Sequence, residues 1–112
     1  MKAILTGGAG FIGSHIADDL IDKGAKVLVI DDLSSGDLAN LSKSVEFLNL
    51  NIADQKLSHI LKDFKANVLI HCAAQASVSQ SINEPAFDAQ VNILNGLQIM
   101  GYAVKAGVKS YI

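Results

Sequence analysis

The sequence predicts an α/β domain built on a doubly wound parallel sheet, and three observations carry that prediction. Short apolar runs recur at Ala3 to Leu5, Val27 to Ile30, Val45 to Leu48 and Val68 to Ile70. Each run is continuous rather than alternating, as in strands covered on both faces. The stretches after the first, third and fourth runs carry helical spacing instead, giving the strand and helix alternation of such a sheet. Half of the 112 residues are hydrophobic and 18% are charged, which suits one packed domain and no more.

Taken in order, Ala3 to Leu5 is the first strand. Ile12, Ile16 and Leu20 then recur at four-residue spacing, with Ala17 and Ile21 widening the apolar stripe of a first helix that Gly24 ends. Val27 to Ile30 and Val45 to Leu48 are the second and third strands. Asp54 to Phe64 reads as a short helix with Leu57, Ile60, Leu61 and Phe64 on one side. After the fourth strand, Pro85 suits the first turn of a long helix, where its missing N–H would have no partner anyway. That helix is expected to reach about Val104, with Val91, Leu94 and Leu97 facing inward and Gly107 closing it. Lys109 to Ile112 looks like a fifth strand just beginning. The expected strand order is 3-2-1-4-5.

The segment Thr6-Gly7-Gly8-Ala9-Gly10-Phe11-Ile12-Gly13 joins the first strand to the first helix. Triple-glycine spacing by itself is a weak signal; its place between a strand and a helix gives it meaning. Gly7 allows a tight turn, Gly10 lets backbone approach a diphosphate, and Gly13 lets the helix pack closely. The helix N-terminus offers unpaired N–H groups and a positive dipole end to phosphates. Asp31 stands at the end of the second strand, eighteen residues after Gly13, near the spacing of the acidic residue that holds an adenosine ribose. Two unit charges about 4 Å apart repel by up to about 4 kcal/mol at an effective dielectric near 20, so a carboxylate here disfavours a 2′-phosphate. NAD is therefore expected over NADP.

These residues, with Asp31-Asp32-Leu33-Ser34-Ser35-Gly36, His71-Cys72-Ala73-Ala74-Gln75-Ala76-Ser77-Val78 and Pro85 to Gly96, resemble the extended short-chain dehydrogenase/reductase family. Within it, the likeness is to NAD-dependent nucleotide-sugar epimerases and dehydratases, of which UDP-sugar 4-epimerases are typical. The resemblance implies a Rossmann-type sheet with bound NAD. It places Phe11 and Ile12 over the diphosphate through their backbone, and Asp31, Asp32, Leu33, Ser34, Ser35 and Gly36 around the adenosine ribose. Asn51 and Ile52 would flank adenine, Asn51 replacing the family's usual acidic acceptor for the amino group. Cys72, Ala73, Ala74 and Gln75 would line the cofactor, and Asn92 would support the active-site region. Asn95-Gly96 stands where Gly-Thr or Gly-Gly is usual, which questions the helix packing there.

The same resemblance implies chemistry by a serine and a Tyr-x-x-x-Lys pair, the tyrosine moving a hydroxyl proton while hydride passes to NAD. Tyr102 and Lys105 have only two residues between them and fall on another helix, so no catalytic residue is assigned. The chain is therefore expected to be residues 1–112 of a longer enzyme, an NAD-binding part that is inactive alone. A nucleotide-sugar substrate and a homo-oligomer belong to the full-length protein. The alternatives are a reductase of the same extended family, with NAD or NADP, and a non-catalytic dinucleotide-binding module.

Other residues have plainer readings. His71 ends an apolar strand and is expected to be a hydrogen-bonded structural histidine. His15 and His59 lack metal-ligand company, and no metal site is expected. Cys72 reads as a small buried side chain rather than a nucleophile, and a lone cysteine fits a reducing cytoplasm. Ser77, Ser79 and Ser81 are polar loop residues that could border a substrate. A net charge of −2 without a basic run gives nucleic acid no footprint, and the apolar runs are too short to span a membrane.

Overall fold

The computed structural model describes residues 1–112. Strands β1 (Lys2–Thr6), β2 (Lys26–Asp31), β3 (Glu46–Asn49), β4 (Val68–His71) and β5 (Ser110–Tyr111) form one sheet in the order β3-β2-β1-β4-β5. Every pairing is parallel, and β1 is central, with Thr6 in register with both Ile30 and His71. The continuous apolar runs are explained by the two faces they cover. Ala3, Leu5, Val27 and Val29 pack under helix α1 (Phe11–Asp22), whose Ala17 is fully buried. Ile4, Leu28, Ile30 and Leu69 pack on the other face, against α2 (Leu57–Phe64) and the long C-terminal helix. Leu57 and Leu61 are sealed there, and truncating either to alanine would cost about 2–5 kcal/mol.

Several elements depart from expectation. Helix α2 begins at Leu57, because Asp54 forms a turn ahead of it: its Oδ1 accepts from Lys56 N–H and its carbonyl from Leu57 N–H. Ile12, expected on the inward stripe of α1, is 67% exposed, since that first turn rises past the strand ends. Val78–Asn83 is a short helix, α3, where a polar loop was expected; Ser77 caps it, its Oγ accepting from Gln80 N–H at 3.2 Å.

The largest correction concerns the long helix. It runs as α4 (Pro85–Ala89), a π-helical turn (Gln90–Leu94) and α5 (Asn95–Lys105). A π turn holds one residue more than an α turn, so every later side chain is rotated by about 100°. Asn95, Ile99 and Ala103 are consequently buried, following half-buried Val91 at four-residue steps. Leu94 and Leu97, expected inward, are 55% and 59% exposed. No helix is long and apolar enough to cross a membrane.

Candidate functional site

From β1 the chain crosses to β2 and then β3 on one side, and the crossover from β3 returns to β4 on the other side of β1, so the connections part at the carboxyl ends of β1 and β4. In doubly wound sheets this is where ligands bind. A cleft of about 670 Å³ opens at that point. Its floor is the turn after β1. Gly7 has φ +67°, and a Cβ on it would meet Ala73 N at 2.6 Å, so the turn presses against the chain leaving β4. A Cβ on Gly13 would collide with Gly7 O, so the close packing foreseen for Gly13 is between helix and loop rather than helix and sheet. Gly10 lines the cleft, and a Cβ there would touch only the loop's own carbonyl, at 3.4 Å.

The N-terminus of α1 is uncapped. Gly10 supplies no side chain, and the N–H groups of Phe11, Ile12 and Gly13 have no partner in the chain. Three donors at the positive end of a twelve-residue helix are chemically able to hold an anion. The phenyl and sec-butyl side chains of Phe11 and Ile12 point away, into solvent. Phe11, Ile12 and Gly13 are not among the residues that line the cleft, and what they offer beside it is backbone N–H.

Asp31 is buried at the cleft wall, 8% exposed. Its Oδ2 accepts from Ala9 N–H and its Oδ1 from Leu33 N–H, both at 2.9 Å. Leu33 itself takes φ +61° and lies outside the cleft, serving the turn. Asp32, Ser34, Ser35 and Gly36 continue the rim. Asp32 Oδ1 accepts from Ser34 N–H, and its Oδ2 accepts from Asn51 Nδ2 at 2.8 Å. Partial burial works to raise the Asp32 carboxyl, but the hydrogen bonds from Ser34 and Asn51 together outweigh it and hold it below its ordinary value. Asn51 Oδ1 accepts from Ala53 N–H, so its amide is oriented from both sides. Ile52 follows it in the wall and is anchored in the core.

The opposite wall is the chain after β4. Cys72, Ala73, Ala74 and Gln75 all line it. The Cys72 thiol is half-buried and pushed up by that burial. His71, just behind, shares a 2.6 Å hydrogen bond with Thr6 Oγ1, which also accepts from Ala73 N–H. Burial lowers its pKa, and a neutral, structural histidine results. Asn92 does not line the cleft. It clamps Gln75: Oδ1 accepts Gln75 N–H at 2.7 Å, and Nδ2 donates to Gln75 O at 2.9 Å. Asp88 joins, its Oδ1 accepting from both Asn92 Nδ2 and Gln75 Nε2.

Of the polar loop serines, Ser77 lines the cleft, while Ser79 and Ser81 do not. Tyr102 and Lys105 lie away from it; the Tyr102 hydroxyl accepts from Gln98. Sequence reasoning missed Gln80, Phe87, Gln90 and Asn95, which complete the cleft from the helical side. Asn95 was visible as a departure from pattern, but its inward direction depends on the π turn, which leaves no periodic signal.

A family model described as the NAD dependent epimerase/dehydratase family matches residues 3–112. A UDP-glucose 4-epimerase of Mycolicibacterium smegmatis is 41% identical over 117 aligned positions, covering 100% of this chain and 37% of that relative. Among solved structures, a Thermotoga maritima UDP-glucose 4-epimerase with UDP-glucose superposes with a TM-score of 0.95 at 43% identity, over 99% of this chain and 36% of that one. A Thermus thermophilus UDP-glucose 4-epimerase in complex with NAD gives 0.93 at 38% identity, again over 99% and 36%. The chain thus spans little more than a third of the length of these relatives.

Proposed function

The chain belongs to the NAD-dependent epimerase/dehydratase family, and on that premise we propose that it is the NAD-binding portion of a UDP-glucose 4-epimerase-like enzyme. The observation that carries this reading is the uncapped start of α1, with three partnerless N–H groups above a glycine turn and the Asp31 carboxylate beside it. The diphosphate would rest on the N–H groups of Phe11, Ile12 and Gly13, with Gly10 leaving room for it. The adenosine ribose would meet the free lone pairs of Asp31, within the Asp32–Gly36 rim. Adenine would lie between Ile52 and the helical wall, its amino group near Asn51 Oδ1. Cys72 to Gln75 would border the remainder of the cofactor, with Asn92 holding that segment in place. Bound NAD supplies a hydride acceptor and donor.

No Tyr-x-x-x-Lys pair occurs in these residues, so the isolated chain is proposed to be inactive; UDP-galactose formed from UDP-glucose above a protein-free control would contradict this. In the full-length enzyme the substrate is a nucleotide sugar. The exposed row Ile93, Leu97, Met100 and Val104 favours a homo-oligomer, and a cytoplasmic location fits the single free thiol. The cofactor reading is tested by amide NMR: NAD should shift the resonances of Phe11, Ile12 and Gly13 most strongly. Shifts elsewhere with these three unmoved would refute it.

A further inference from the structure

Asn95 belongs to the helical wall of the cleft, and the reading above gives its polar side chain no task. Asn95 is 3% exposed, yet it lines the cleft. Its Oδ1 accepts from Gln90 Nε2 at 2.7 Å, which turns its Nδ2 group the other way, where it has no partner in the chain. That group is not sealed in, because no fully buried side-chain nitrogen or oxygen lacks a partner. A polar side chain this deeply buried, with a donor held open to a cleft, asks for an acceptor there.

The location narrows what the acceptor is. Asn95 follows Val91 on the inward row of the long helix, on the face of the sheet that also carries Leu50 and Ile52. Leu50, Ile52, Val91 and Asn95 all line the same cleft, so its apolar end is a slot between the segment after β3 and the helix. A flat base entering that slot is sandwiched by aliphatic side chains and meets Asn95 at an edge. The ring nitrogens of a purine accept hydrogen bonds, and an amide NH2 complements them. We propose that Asn95 is a specificity-determining residue for the base of the dinucleotide, its Nδ2 donating to a ring nitrogen of adenine while Gln90 fixes the orientation of the amide. The inference rests on the dinucleotide reading of the cleft.

The test is a set of titrations of the chain and its Asn95→Leu and Asn95→Asp variants with NAD and with the 1-deaza, 3-deaza and 7-deaza adenine analogues of NAD. The leucine removes the amide, and the aspartate keeps its size and the bond from Gln90 but has no donor. Thermal melts of each protein establish that it is folded. For one of the three analogues, the wild type should lose about three- to tenfold in affinity, the worth of one neutral hydrogen bond. Both variants should lose the same factor for NAD and should no longer distinguish that analogue from it. Variants that weaken all four ligands equally, or none, overturn the inference and leave the cofactor reading standing. A wild-type chain that fails to bind NAD overturns the cofactor reading itself, and this inference with it.

Discussion

The Asp31 carboxylate is half committed before any ligand arrives. Each oxygen accepts one backbone N–H, from Ala9 and from Leu33, and each keeps a further lone pair for a ribose hydroxyl. The residue therefore shapes the glycine turn as well as offering itself to a ligand. Asp31→Ala should strand two N–H groups and lower stability by about 2–4 kcal/mol, read as a fall in urea midpoint. An unchanged midpoint would mean that the turn holds without it. The spacing of Asp31 from the glycines made its place beside the glycine turn legible in the sequence. Its tie to Ala9 was not, because that contact exists only once the turn has folded. His71 has a different consequence. Burial holds its folded pKa below the ordinary 6.5, so between the two values the unfolded chain binds more protons than the folded one. Stability is then full above about pH 6.5 and declines as pH falls through that window. The melting temperature should drop over this range, and His71→Gln should flatten the drop; an identical profile in the variant would assign it to other groups.

Among the elements, the π turn decides most. It places Asn92 where its amide clamps Gln75 in both directions, and it sends Asn95 rather than Leu94 into the core. Asn92→Ala removes the clamp while leaving the helix's buried row untouched. Hydrogen exchange at the Gln75 amide should accelerate in that variant, with little change in β1 or β2. Equal protection in both proteins would show that the segment is held by other contacts. The four main strands and α1 were legible because continuous apolar runs and a four-residue stripe are direct consequences of burial. The direction of Leu94 and Leu97 was not, since one inserted residue rotates everything after it without changing composition. Helix α3 escaped notice for a related reason: Val78 and Ile82 recur at helical spacing, yet both are over 70% exposed, so burial gave the pattern no weight.

At the scale of the whole molecule, topology brings together what the sequence keeps apart. Residues 7–13, 31–36, 51–52 and 72–75 come from four separate crossings of the sheet, and the order β3-β2-β1-β4-β5 sets their connections around one cleft. The strand order followed from the handed, doubly wound pattern, and so did the grouping of these segments. The helical wall with Gln80, Phe87, Gln90 and Asn95 did not, because its placement depends on α3 and on the π turn. This cleft is proposed to take NAD at the start of α1, with Asp31 setting the preference against a 2′-phosphate. Calorimetric titration of the chain with NAD and with NADP tests it most directly. NAD should bind, and NADP should bind at least tenfold more weakly, a margin of about 1.4 kcal/mol that lies within the repulsion available to Asp31. Equal or tighter binding of NADP, or no heat from either cofactor, would contradict the account.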